Sequence, residues 1–323
     1  MSRDDLELLK RFVEFIATKI RCVSVNEISE NFGVDRGVAL SMLEKLEKQG
    51  FPLDVCDGGS YRFRDLDNLV SAQKYVEYLN TKLRYRVRYV EVCGSTQDIA
   101  IEMARLGAPE GTVVVAEELE RGRGRMGRRW IASRGGLWFS LILRPPKMKY
   151  INLLSLTTAV GVAQAIKNLL DIDAKIKWPN DVLVDEKKVS GILIEGALGG
   201  EGTQYLVVGI GVNVNNELPQ ELRESAISLR NVVGFDIPRV PLLLSILKNL
   251  DKVYSYIYSE KIEEVLGIWK SMCVTLGRKV KVIAIEDVFE GVAEDIEIDG
   301  ALRVRLGDGS VKKFYTGDVI HIR

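Results

Sequence analysis

Residues 120–130 read ERGRGRMGRRW, five arginines and three glycines in a chain that otherwise balances 45 Lys plus Arg against 45 Asp plus Glu. Arginine cannot shed its charge, so crowding Arg121, Arg123, Arg125, Arg128 and Arg129 brings self-repulsion unless an anion sits among them. Alternating glycine lets backbone N–H groups approach a ligand, and the interleaved guanidinium groups can pair bidentately with phosphate or carboxylate oxygens. Strand-like segments flank the run closely, TVVVAEE (112–118) before it and LWFSLIL (137–143) after it. That flanking favours an anion-binding loop over the competing reading, a basic nucleic-acid tail of RG type. Its charges lack evident partners in the sequence, so the loop is expected to be mobile until a ligand arrives.

Working outward, strands (AKIKW, DVLVD, SGILIE, QYLVVGIGVNV) mix with helices (QDIAIEMARL, NLLSLTTAVGVAQAIKNLL, VPLLLSILKNLDKVYSYI, KIEEVLGIWKSM) as far as about residue 273. Several strands follow one another with no helix between them, so the spacing predicts an α+β fold with a mixed sheet rather than a doubly wound one. Residues 274–323 read as short strands with turns at GDGS and TGD, which suits a small barrel. At the other end, residues 4–21 carry Leu6, Leu9, Val13, Ile16 and Ile20 at helical spacing. SVNE (24–27) is a capping-box pattern opening a helix that stops near Gly33, and Asp35 can cap another to about Gln49. With the strand-like FPLDVC and SYRF after it, this is a winged helix-turn-helix pattern. A connecting helix is expected over 65–83. The predicted domains are 1–66, 67–273 and 274–323.

Composition narrows the function. At 323 residues and 46% hydrophobic, the chain suits two or three soluble domains. Zero net charge argues against a surface that is basic throughout. Cys22, Cys56, Cys93 and Cys273 lie far apart without CxxC spacing, so neither a zinc site nor a disulfide framework is expected, and a reducing, cytoplasmic setting fits. The N-terminus lacks the apolar core of a signal peptide, and no apolar run is unbroken for membrane-spanning length. The only histidine is His321, which leaves little room for a histidine-based triad or an imidazole metal site.

Two further segments complete the pattern: KWPND (177–181) followed by EKKVSGILIE (186–195), and GIGVNVNN (209–216). Taken singly, WPND is ordinary turn chemistry and Lys188 could be a solvated edge charge. Together, in this order and with GST at 94–96, the segments resemble the catalytic module of the biotin protein ligases. The terminal domains extend the resemblance to the bifunctional form that also represses transcription, with a class II synthetase-like central domain and an SH3-like C-terminal barrel.

The resemblance implies two half-reactions, adenylation of biotin by MgATP and transfer of the acyl group to a lysine of a biotin carboxyl carrier domain. Positioned cations and backbone dipoles, without a covalent nucleophile, suit that chemistry. By position, Arg123 and Arg125 would order over the biotin carboxylate and the α-phosphate, and Arg128 would lie near the nucleotide. Lys188 would stabilise charge on the attacked phosphate, and Ser95 and Thr96 would line the ureido pocket. Asn213 would approach the adenine, and Asp181 would hold the acceptor lysine or the metal shell. Gln97, Gly122, Gly124, Trp130, Lys177, Asn180 and Gly191 complete the ligand-binding set, with no protein metal site. One position departs from the family: Leu119 stands where a glutamine is usual three residues before Gly122. Thr96, Gln97 or Glu120 could substitute for it, and a lipoate-type ligase is the neighbouring alternative.

For the N-terminal domain, Arg36, Ser41, Lys45 and Arg62 are the side chains expected at operator DNA, and a homodimer is expected with it. Residues 1–66 hold two more acidic than basic residues, poor for phosphate contacts, so an interaction module is the alternative. A ligand-sensing regulator without ligase turnover is the third reading. The basic segment KLRYRVR (82–88) receives no function.

Overall fold

The computed structural model describes residues 3–145, 151–197, 205–284 and 287–322. It opens with helices α1 (Arg3–Ala17), α2 (Val25–Phe32) and α3 (Arg36–Lys48), and strands β1 (Val23–Ser24), β2 (Leu53–Cys56) and β3 (Ser60–Phe63). The capping residues act as their types require. The Ser24 hydroxyl accepts from Glu27 N, the Asp35 carboxylate accepts from Val38 N, and Gly33 ends α2 in the left-handed conformation at φ 64°. Phe12, Ile16, Ile28, Leu43 and Leu46 are buried together, and the strands pair antiparallel in the order β1-β3-β2.

Two expectations are corrected here. Cys22 and Cys56 form a disulfide, with Cα atoms 6.4 Å apart. β1 and β2 both pair with β3, so tertiary structure brings together two cysteines whose sequence spacing gives no hint of it. The connecting helix is also much shorter than 65–83, running only from Ala72 to Val76 (α4). Tyr75 of α4 packs on Phe63 and Phe51 of the N-terminal unit, with ring centroids 5.0 and 6.0 Å away.

The central sheet has seven strands in the order β4-β5-β6-β10-β9-β8-β7: β4 (Arg86–Cys93), β5 (Thr112–Leu119), β6 (Leu137–Leu143), β7 (Lys175–Lys177), β8 (Asp181–Val184), β9 (Lys187–Ala197) and β10 (Tyr205–Val212). Only the β4–β5 pair is parallel, so the sheet is mixed. Strand alternation sends Val114, Ile142 and Val207 to one face, against Ala100 and Ala104 of α5 (Thr96–Arg105). Val113, Val115, Leu141, Val208 and Ile210 go to the other, under α6 (Ile151–Leu170), α8 (Arg239–Tyr258) and α9 (Ile262–Met272). Leu153–Leu170 of α6 is long and apolar enough to cross a membrane by composition, but 67% of that stretch is buried in the protein, as a core helix is. A short α7 (Leu229–Val233) follows β10 in the chain.

A five-stranded antiparallel sheet, ordered β14-β13-β12-β11-β15, closes the chain: β11 (Lys279–Ile283), β12 (Val288–Ile296), β13 (Leu302–Leu306), β14 (Val311–Phe314) and β15 (Asp318–His321). It joins the central sheet at Thr275, whose hydroxyl accepts from Trp178 N, and at Gly300, whose carbonyl accepts from the Trp178 indole.

Candidate active site

The cavity lies on the α5 face of the central sheet, where α5 begins and the arginine loop folds over. Its floor is set by the register that pairs Gly211 with Gly191 and Gly209 with Leu193. A Cβ on Gly211 would come within 2.8 Å of the Trp130 indole and one on Gly191 within 3.0 Å, so the indole lies directly on two glycines. Trp138 meets Trp130 edge-on at 6.1 Å.

Ser95 caps α5 by accepting from Gln97 N. The buried Gln97 side chain donates from Nε2 to the carbonyls of Val207 (3.0 Å) and Leu193 (3.3 Å) and accepts from Ser140 Oγ (2.8 Å). Thr96 Oγ1 lies 2.9 Å from the same Ser140 hydroxyl. Both amide protons of Gln97 are therefore committed to the protein, which makes it a brace for the cavity wall more than a free donor. Leu119 lines the cavity as an apolar wall.

Contrary to the expectation that the charges of the arginine loop lack partners, several of them are paired within the chain. Gly124 N donates to Arg128 O (2.7 Å) and Trp130 N to Gly122 O (2.9 Å), while a Cβ on Gly122 would press on Trp130 O at 2.5 Å. Arg123 Nη2 reaches Asp98 at 2.7 Å and Glu195 at 3.0 Å. Burial opposes its charge, yet those two carboxylates raise its pKa overall. Arg128 pairs with Asp318. Arg125 differs, because its hydrogen bonds go to neutral acceptors: Asn180 Oδ1 (3.2 Å), Thr316 Oγ1 (2.7 Å) and Gly317 O (3.3 Å). Burial lowers its pKa, offset in part by Asp181, so a desolvated guanidinium faces the cavity without a directly bonded counter-charge.

Across the cavity, Lys188 Nζ sits 2.6 Å from Asp181 Oδ1 and 5.3 Å from the Trp130 ring centre. Asn180 Nδ2 donates to Ile192 O at 2.7 Å, fixing the turn that carries both Asn180 and Asp181. A second cavity adjoins the first behind Trp130 and is lined by Lys177, Asn213 and His321. Burial, with the nearby Lys188, lowers the Lys177 pKa, and Asp181 counters it. His321 falls to about 4, through burial first and then Lys177 and Arg278.

Ser95, Thr96, Gln97, Arg123, Gly124, Arg125, Arg128, Trp130, Asn180, Asp181, Lys188 and Gly191 thus share one cavity, and Lys177 and Asn213 line its neighbour. Arg36, Ser41 and Lys45 lie exposed along α3, and Arg62 on β3 is 3.8 Å from Asp54. Sequence reasoning missed Asp98, Glu195, Thr316, Gly317 and Asp318. Only tertiary contact with the loop distinguishes them from ordinary surface residues. Among the described residues no three His, Cys, Asp or Glu side chains form a metal-binding group, and Lys188 already occupies Asp181.

Comparison with known proteins agrees with this geometry. The Biotin/lipoate A/B protein ligase family matches residues 89–213, and the Biotin protein ligase C terminal domain matches 275–322. The bifunctional ligase/repressor BirA of Bacillus subtilis (strain 168) is 33% identical over 303 residues, 92% of this chain and 93% of that protein. Its namesake in Escherichia coli (strain K12) is 25% identical over 301 residues, 92% of each chain. Among solved structures, a biotin protein ligase from Aquifex aeolicus in complex with biotin and ATP superposes with a TM-score of 0.65 at 31% identity, covering 73% of this chain and 98% of that one. The fold is that of the biotin and lipoate protein ligases as a class. Within that class, the chain belongs to the bifunctional biotin protein ligase/repressor family.

Proposed function

We propose that the protein is an ATP-dependent biotin protein ligase. A carboxylate oxygen of biotin attacks the α-phosphorus of MgATP, the bond to the β-phosphate oxygen breaks, and biotinoyl-5′-adenylate and pyrophosphate result. A lysine amine of a biotin carboxyl carrier domain then attacks the acyl carbon, losing its proton as AMP leaves. The observation that carries this reading is Arg125, a half-buried cation whose hydrogen bonds go to neutral partners, facing the same cavity as Lys188. The two cations suit an anionic substrate, and negative charge builds on the attacked phosphate where they can meet it. Arg123 serves the carboxylate end and Arg128 the nucleotide. Ser95 and Thr96 line the ureido pocket, Asn213 lies toward the adenine, and Asp181 orients Lys188 and receives the acceptor amine.

The domains of this reading are 1–66, 67–273 and 274–323. The first is a winged helix-turn-helix that binds operator DNA as a homodimer through Arg36, Ser41, Lys45 and Arg62. The last is an SH3-like barrel, and the protein works in the cytoplasm, a setting that the Cys22–Cys56 disulfide does not itself support. Pyrophosphate release by the purified protein with MgATP and either biotin or lipoate tests the chemistry. Release with biotin alone supports the reading. Preference for lipoate would shift it to the neighbouring class, for which the apolar Leu119 wall is the structural argument.

A further inference from the structure

The outer strand of the N-terminal sheet carries a covalent tie that nothing else around it replaces. With the order β1-β3-β2, β3 is paired on both sides, by two residue pairs to β1 and by four to β2. β2 forms the edge, and only its base is packed: Leu53 and Phe63 are buried, and Asp54 pairs with Arg64 at 2.6 Å. Toward the turn Val55 is 71% exposed, and Gly58 and Gly59 (φ 71° and 69°) have open space where a Cβ would stand. Among the described residues, Val55 to Gly59 make no side-chain hydrogen bond or ion pair. The Cys22–Cys56 bond is therefore what fastens this end of the hairpin to the segment leading into α2. Both cysteines are half-buried, within reach of a small solute.

We propose that Cys22 and Cys56 form a reversible thiol switch for the β2–β3 wing. Oxidised, the pair fixes the turn; reduced, the turn moves while the unit stays folded on its core of Phe12, Ile16, Ile28, Leu43 and Leu46. The reductant is a cellular thiol, either a small one such as glutathione or a dithiol protein. Its thiolate attacks one sulfur of the pair and the S–S bond breaks to give a mixed disulfide. A second thiolate resolves this, so that two electrons and two protons reach Cys22 and Cys56 and the reductant leaves as its own disulfide. Partial exposure gives the attacking thiolate a path. A disulfide in a cytoplasmic protein is characteristically of this openable kind, and to that extent the inference rests on the cytoplasmic reading. Its consequence for DNA rests on the winged-helix reading. A wing already ordered loses less entropy on binding, so the oxidised form holds DNA the tighter. The catalytic cavity takes no residue from the N-terminal unit and is unaffected.

The test equilibrates the full chain in buffers of graded reduced-to-oxidised glutathione ratio. It reads the thiol state by mass spectrometry, wing mobility by amide exchange in residues 54–62, and retention of a random-sequence DNA duplex pool with biotin and MgATP present. Reduction should be complete within the series and reversed on return to oxidised glutathione. Wing exchange should quicken about tenfold on reduction while β5 and β6 stay protected. DNA retention should weaken about tenfold, and biotin-dependent pyrophosphate release should stay the same. Cys56→Ser should show the reduced behaviour at every ratio; if that variant fails to fold, the parent in reducing buffer supplies the same comparison. A disulfide that survives the most reducing buffer would overturn the proposal, because the bond would then be a permanent staple. So would equal wing exchange, or equal DNA retention, in the two states. If neither state retains DNA, the winged-helix reading fails, and wing exchange with reversibility alone decides the switch.

Discussion

Asp181 Oδ1 lies 2.6 Å from Lys188 Nζ across the β8–β9 hairpin, and the same ammonium stands 5.3 Å from the centre of the Trp130 ring. A carboxylate on one side and a π-face on another hold a flexible side chain in place, so that its charge needs little reorganisation when phosphate charge develops. Lys188→Ala should lower biotin-dependent pyrophosphate release roughly 10²- to 10³-fold. The pair is partly exposed, so the melting temperature should barely move.

Gln97 braces the cavity wall through two carbonyls and a hydroxyl. Gln97→Leu keeps the volume but removes the side-chain bonds to Leu193 O and Val207 O and leaves Ser140 Oγ with Thr96 alone, and should cost about 2–4 kcal/mol in a urea titration. If Gln97 instead served only as a ligand contact, stability would be unaffected and only biotin binding would weaken.

Arg239 forms a nearly buried bidentate pair with Glu117, Nη1 at 2.7 Å and Nη2 at 3.0 Å, and also donates to Gly136 O and Asp67 O. Glu117→Ala leaves that guanidinium without its counter-charge and should destabilise the protein by about 3–5 kcal/mol. Replacing both partners with methionine should recover much of the loss. Chemical denaturation of the two variants separates the outcomes.

The Cys22–Cys56 disulfide spans a sequence separation of 34. Loop-closure entropy gives it a stabilising effect of about 3–4 kcal/mol on the N-terminal unit. Dithiothreitol should lower that unit's unfolding temperature. Cys22→Ser should reproduce the shift and remove any response to reductant.

His321 has its pKa depressed to about 4 by burial, Lys177 and Arg278, while Glu186 acts the other way. Between its ordinary value near 6.5 and about 4 the unfolded chain binds a proton that the folded protein does not. Its contribution is therefore full above pH 6.5 and is lost as pH falls through 4. His321→Gln should flatten the melting-temperature profile over that interval, and an unchanged slope would assign the acid limb to other groups.

Much of this was legible in residue patterns because the signals were local. Ser24 and Asp35 cap the helices their sequence contexts announce, and the strands of the central sheet fall where apolar runs place them. The family resemblance carried by GRGRMGR, KWPND and GIGVNVNN brought most cavity residues into view. What escaped was long-range. Glu195 and Asp98 reveal themselves only once β9 and α5 flank the loop, and Asp318 only once β15 reaches it. The supposed helix over 65–83 failed for a related reason. Leu69, Ala72, Tyr75 and Val76 do form a helical stripe, but it spans only a 3-10 turn and the short α4, packed as buried filler between the N-terminal unit and the central sheet.

That filler changes what it means to cut the chain. Residue 66 separates two compositions but no two surfaces, because Leu66 O accepts from Val240 N and Tyr75 packs against Phe63. A catalytic fragment begun at residue 67 would bare a greasy seam of Leu69, Tyr75 and Val76 and would clump. Anyone building a compact biotinylating reagent from this scaffold would need to recoat that seam with polar side chains, not simply delete what covers it.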